Sequence, residues 1–200
     1  MKWVKKSVGY WCKDILTGKY TGKGICSAIL DTGIAGHPDL KDCIVAFRNF
    51  TGKALETVCS DGSGHGTHVA GILAGNGKAS SGLYAGMAPS SELIVGKVLD
   101  HEGNGNVEDV LKGIDWVIKS REQYQVRIVN ISVGTQPNLA QEQKQIFLEA
   151  VEELWDRGLV VVVSAGNYGP EEGSVAVPGN SPKVITVGGA GYRDTRCFPS

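Results

Sequence analysis

Short apolar runs alternate along this chain with longer stretches of helical period. Ile25 to Leu30 reads Ile-Cys-Ser-Ala-Ile-Leu between Gly24 and Asp31-Thr32-Gly33, a run whose length and bounds predict a buried strand. Leu93 to Val98 predicts a second strand, and a loop holding Gly103 and Gly105 follows it. Val107, Val110, Leu111, Ile114, Val117 and Ile118 then recur at helical spacing, which predicts an amphipathic helix with Asn106 as its cap. Arg127 to Ser132 is the next predicted strand. Ile146, Phe147, Ala150, Val151, Leu154 and Trp155 predict a second helix, stopped near Gly158. Leu159 to Val163 is apolar at every position, as in strands of parallel sheets covered by helices on both faces. Val184 to Val187 closes the series.

Strand and helix in alternation imply an α/β fold with a mostly parallel central sheet, flanking helices and right-handed crossovers. Ligands of such folds gather at the carboxyl ends of strands, so the residues after each apolar run are the ones to read for chemistry. With 200 residues the chain can bury roughly 70% of the surface its unfolded form exposes, enough for a core without staples. Twenty Lys and Arg against 21 Asp and Glu leave a net charge of −1, which argues against a nucleic-acid or membrane-surface partner. No run approaches the ~18 apolar residues of a membrane helix. Cys12, Cys26, Cys43, Cys59 and Cys197 are odd in number and form no C-x-x-C pair, so reduced thiols are expected rather than a disulfide framework or a zinc knuckle. The start, Met1 to Ser7, carries lysines but no apolar stretch after them. A cytoplasmic location follows if Met1 is the true start.

Three motifs stand at strand ends. Asp31-Thr32-Gly33 places a carboxylate where it either orients a histidine or closes an Asx-type turn. The same triplet surrounds the catalytic aspartate of aspartic proteases, but the helical stripes at 107–118 and 146–155 oppose the mostly β fold those enzymes need. Gly64-His65-Gly66-Thr67-His68-Val69-Ala70-Gly71 opens a helix of small residues, with His65 at its amino end and His68 one turn along. Two histidines at this spacing could hold a metal, yet a third ligand and the H-E-x-x-H arrangement are missing. Two satisfied histidines under a tight helix is the better account, although it leaves the glycines around His65 unexplained. Ser164-Ala165-Gly166-Asn167 follows the most apolar run; it either lets another chain approach the backbone under an Asn167 amide or forms a plain glycine-asparagine turn.

Taken together, in the order Asp, His, Asn, these motifs resemble the subtilisin-like serine proteases, with the block around His65 the most specific part. Ala88-Pro89, Gly103-Asn104-Gly105, Asn130 to Gly134 and Val177-Pro178-Gly179 fall in matching order, so the resemblance runs from about Gly22 to the end. It implies the family's three-layer α/β fold with its C-terminal part missing, residues 1–21 being an extension and 22–200 a partial peptidase domain. It also implies roles: His65 the general base, Asp31 its orienter and Asn167 the oxyanion donor. Gly103, Asn104 and Gly105 on one side and Ser132, Val133 and Gly134 on the other resemble the two edges between which an extended protein or peptide substrate inserts as a strand. Ser132 to Gly134 with Ser164, Ala165 and Gly166 would wall the pocket for the side chain before the cut, with Ala176 near its floor.

The family's nucleophile stands in a Gly-Thr-Ser-x-Ala block. Here Gly66-Thr67 and Gly134-Thr135 are followed by His68 and Gln136, so the resemblance places the attacking serine beyond residue 200, and Ser200 itself is a poor candidate. The segment from Gly75 to Met87 departs from the family's best-known calcium loop. Asn76 and Asp39 offer oxygens, but nothing fixes six or more ligands, so calcium is an open option rather than an expectation. The plain start and unpaired cysteines point to the intracellular branch. The rival to an endopeptidase is a non-catalytic peptide-binding relative that keeps the grooves without the chemistry.

Overall fold

The computed structural model describes Lys5, Tyr10 and residues 20–52, 57–136 and 138–189. Cys12, Cys197 and Ser200 lie outside the described residues. Six strands, β1 (Cys26–Asp31), β2 (Ile44–Asn49), β3 (Glu92–Lys97), β4 (Val126–Ile131), β5 (Val160–Ser164) and β6 (Ile185–Val187), make one sheet in the order β2-β3-β1-β4-β5-β6. Every pairing in it is parallel. Three helices flank it: α1 (His65–Ala74), α2 (Val107–Ser120) and α3 (Gln141–Asp156).

The alternation of side chains across each strand divides the core in two. Ala28, Leu30 and Ile94 face Val110, Ile114 and Val117 of α2 and Phe147, Val151 and Leu154 of α3. Ile29, Leu93 and Val95 face the other way, onto Ala70 and Ala74 of α1. All six residues of β1 are buried, as befits a strand with helices on both faces. The α2 cap forms as its sequence predicts: Asn106 Oδ1 accepts the Asp109 N–H at 2.8 Å, and Glu108 and Asp109 in the first turn suit the positive end of the helix.

Three expectations change. The links through α1, α2 and α3 all advance in one direction across the sheet, yet α1 lies on the opposite face from the other two. The α1 crossover therefore has the opposite hand, against the uniform right-handed winding expected. Its buried stripe of Gly66, Ala70 and Ala74 fits close beneath the far face, where hydrogen bonds to the loop after β1 hold it. The edge strand β2 was not legible, because its mixed residues are only half buried. Leu159 to Val163 is not covered on both sides: Val160 is 39% exposed, and Ile185 and Val187 on β6 are 54% and 55% exposed. Among the described residues no helix is long and apolar enough to cross a membrane.

The chain runs from β1 outward to β2, returns to β3, then crosses β1 through α2 to reach β4. The sheet order thus reverses around β1, which makes its carboxyl end the natural crevice of the fold. Asp31 is the last residue of that strand.

Candidate active site

Asp31 is fully buried, and its Oδ1 lies 2.7 Å from His65 Nδ1 at the first turn of α1. With Asp31 as a carboxylate and the ring neutral, the carboxylate accepts from Nδ1–H and the ring's lone pair stands on Nε2. The His65 side chain remains 54% exposed, leaving that lone pair open to an incoming group. The Thr32 N–H also donates to Asp31 Oδ1, at 2.7 Å. Asp31 Oδ2 is buried without a partner among the described residues.

The glycines around His65 acquire a reason here. A Cβ on Gly66 would fall 2.2 Å from the Gly33 carbonyl oxygen, and a Cβ on Gly33 would fall 2.0 Å from that of Ser60. Gly33 also holds φ at +113°, which L side chains rarely adopt. Only bare backbone lets the helix start approach the strand end closely enough for imidazole to reach carboxylate.

Polar groups hold that approach from two sides. Thr32 Oγ1 accepts the Gly66 N–H at 2.9 Å, and Thr67 Oγ1 accepts the Ala35 N–H at 2.9 Å. Lys97, opposite Asp31 in the β1–β3 register, is buried and donates through Nζ to the carbonyls of Thr32 and Leu99, at 2.5 and 2.9 Å. His68 faces a separate apolar cleft with His37, Leu40, Ile72 and Tyr84 and shares no ligand set with His65. Among the described residues no three His, Cys, Asp or Glu side chains group as a metal site.

All the expected substrate residues except Ala165 line one cavity of about 680 Å³. Gly103, Asn104 and Gly105 line one side; Ser132, Val133 and Gly134 line another; Ser164, Gly166 and the exposed Asn167 complete it. The ladders of β4 end at Ile131, so residues 132–134 run on past the sheet. Ala176 packs under two of the glycines: a Cβ would sit 3.2 Å from its methyl at Gly134 and 2.8 Å at Gly166. Ala165 does not line the cavity, because its N–H bonds Val187 O and its carbonyl accepts the Ala176 N–H. Asp31 and His65 are not among the lining residues.

The model of the subtilase family (Peptidase S8) matches residues 22–197, most of the chain. The chain belongs to the subtilase family. It is 43% identical over 172 residues to the serine protease AprX of Bacillus subtilis strain 168, a match covering 84% of this chain and 38% of that protein. It is 38% identical over 192 residues to the major intracellular serine protease of the same strain, covering 92% of this chain and 55% of the relative. Among solved structures it is similar to the S41 psychrophilic protease (33% identity, TM-score 0.72, 83% of this chain and 53% of that one). Sphericase is similar too (32% identity, TM-score 0.72, 88% and 58%). The chain thus spans well under two thirds of the length of these relatives.

The subtilase family and fold read from the sequence therefore stand, and the aspartic-protease reading of Asp31-Thr32-Gly33 falls with them. The oxygens considered for calcium already accept from the protein's own donors. Asp39 Oδ1 accepts the Ala79 N–H at 2.7 Å and Asn76 Oδ1 accepts the Lys78 N–H at 2.9 Å. The Lys78 ammonium, paired with Asp42, adds its own positive charge beside Asp39.

One residue of this subtilase site escaped the sequence reading. Asp61, four positions before His65, accepts from Thr32 Oγ1 (2.9 Å), Ser63 N–H (3.1 Å), Gly64 N–H (2.8 Å), Thr67 N–H (2.9 Å) and Thr67 Oγ1 (2.5 Å). Partial burial works to raise its pKa, but the bonds from Thr67, Gly64 and Thr32 together outweigh it and bring the carboxyl down from 3.8 to about 2. The only signal in the sequence was an aspartate just ahead of a helix start.

Proposed function

We propose that this chain carries the acid–base part of a serine endopeptidase, with His65 as general base and Asp31 as its orienter. The observation that supports this reading is the 2.7 Å contact between His65 Nδ1 and a fully buried Asp31. With its proton fixed on Nδ1, the ring receives the serine hydroxyl proton at Nε2 as the oxygen attacks the peptide carbonyl. The carboxylate stabilises the imidazolium that results, and Nε2 then returns the proton to the departing amine. No Gly-Thr pair in the chain is followed by serine, so this reading assigns the nucleophile to polypeptide after residue 200.

Asn167 is the oxyanion donor in this account, its amide facing the charge that grows on the carbonyl oxygen. Losing such a donor costs roughly 10²–10³ in kcat, a figure measured in a subtilisin. The substrate lies as an extended strand between 103–105 and 132–134, where main-chain bonds hold it without regard to sequence. Ala176 beneath Gly134 and Gly166 keeps small side chains on that side of the pocket, which leaves it roomy and favours broad protein substrates over one motif.

The test is hydrolysis of casein and of short chromogenic peptides by the protein expressed from its whole reading frame. Cleavage that is lost with Asp31→Ala and His65→Ala and falls roughly 10²–10³-fold with Asn167→Ala supports the assignment. Saturable peptide binding with no cleavage at any pH would instead identify a non-catalytic peptide binder.

A further inference from the structure

The contact between Asp31 and His65 depends on two segments far apart in sequence, and what sets their register is not either residue itself. On the strand side stands Thr32, held by its N–H to Asp31 and by its carbonyl to Lys97. On the helix side stand Gly66, whose N–H needs the Thr32 hydroxyl as an acceptor, and Thr67, whose hydroxyl must accept from Ala35. A hydroxyl has one proton and can turn it either way. Asp61 removes that freedom at both places. Its Oδ1 takes the Thr32 proton and its Oδ2 takes the Thr67 proton. Each hydroxyl is then left as an acceptor toward the cross-link it serves.

The same carboxylate substitutes for a cap that α1 lacks. Gly64, at the N-cap position, has φ +86° and no side chain to cap with. Asp61 binds the N–H groups of Ser63, Gly64 and Thr67 instead, which also places a negative charge at the positive end of the helix.

We propose that Asp61 is a positioning residue for the Asp31–His65 pair, locking strand end and helix start in the register at which the imidazole reaches its carboxylate. This rests on the catalytic reading above. It predicts that Asp61 acts on the orientation of His65 and not on substrate binding. An amide at position 61 presents one N–H₂ group where all five partners donate. The backbone N–H groups on that side then lose their acceptor, and the hydroxyl there is no longer held as an acceptor toward its cross-link.

Two readouts test this in the protein expressed from its whole reading frame. The first is the 15N spectrum of labelled histidines, which reports which His65 nitrogen carries the proton. The expected result is a single Nδ1–H tautomer in the parent and a mixture in Asp61→Asn. The second is peptide hydrolysis, where kcat is expected to fall on the order of 10²-fold with KM held within about twofold, since small displacements of a reacting group cost that much. Val117→Ala, which loosens the core beneath α2, serves as the stability control: its loss of urea resistance is expected to leave the His65 tautomer unchanged. Asp61→Glu, which restores a carboxylate, is expected to recover part of both signals.

Absence of hydrolysis in the parent would remove the catalytic reading but leave the tautomer measurement intact, so the two ideas fail separately. A His65 spectrum unchanged in Asp61→Asn overturns the proposal. If that variant does not fold, the near-isosteric Thr67→Val breaks the helix-side link alone, and an unchanged His65 spectrum there overturns it equally.

Discussion

Gly66 meets Gly33 backbone to backbone: a single methyl on Gly66 would lie 2.2 Å from the Gly33 carbonyl oxygen. This contact brings the first turn of α1 under the end of β1 and accounts for glycine after His65; before it, Gly64 holds φ at +86°.

Gly66→Ala is accordingly a severe substitution at a residue with no chemistry of its own. The neighbour is backbone on a turn at positive φ and cannot move aside as a side chain would. The expected loss is about 3 kcal/mol, the upper end of overpacking costs, read as a lower urea midpoint. Gly71→Ala, with nothing within 4 Å of the added carbon, is expected to be neutral or slightly stabilising because alanine favours helix.

Asp31→Asn keeps the shape of the side chain but reverses the hydrogen-bond logic at His65. The amide that reaches Nδ1 can donate, so the ring protonates on Nε2 and loses its capacity to take a proton there. The expected fall in kcat is on the order of 10⁴, with KM little changed. Steady-state peptide hydrolysis checks it.

Acid should release the helix start. The Asp61 pKa is depressed when folded, from 3.8 to about 2, so its contribution is present above the unfolded value and is lost as pH falls through the folded one. Urea midpoints measured from about pH 5 down to about pH 2 should decline more steeply in the parent than in Asp61→Asn. Parallel declines would contradict this.

The buried thiol of Cys26 gives the opposite limb. Burial, helped by the nearby Glu92 charge, pushes its pKa from 9.0 up to about 12. Its folded pKa is raised, so the neutral thiol stabilises the fold below the unfolded value, and stability is lost as pH rises from about 9 toward 12. Native protein should leave Cys26 unmodified by iodoacetamide at neutral pH while the exposed Cys59 reacts, with peptide mass mapping as the readout.

Much of the site was readable because its chemistry sits in contiguous blocks. Asp31 and His65 each close or open an element whose period is plain in the sequence, and the structure brings them within a hydrogen bond. Asn106 announced α2 by the same logic of local capping. What stayed hidden was built from contacts between segments. Asp61 works through backbone N–H groups and two hydroxyls, one of them 29 residues away, and such bonds leave no pattern in residue types. Ala165 reads as a pocket wall until the β6 ladder and Ala176 claim its backbone. The opposite hand of the α1 crossover likewise follows from which face a stripe of glycine and alanine can approach, which periodicity alone does not say.

The central claim is that His65, oriented by Asp31, activates a serine. Labelling by a fluorophosphonate probe tests it most directly, using protein expressed from the whole reading frame. The account predicts one modified serine in the parent, with labelling lost in His65→Ala. Equal labelling of the parent and His65→Ala would contradict it.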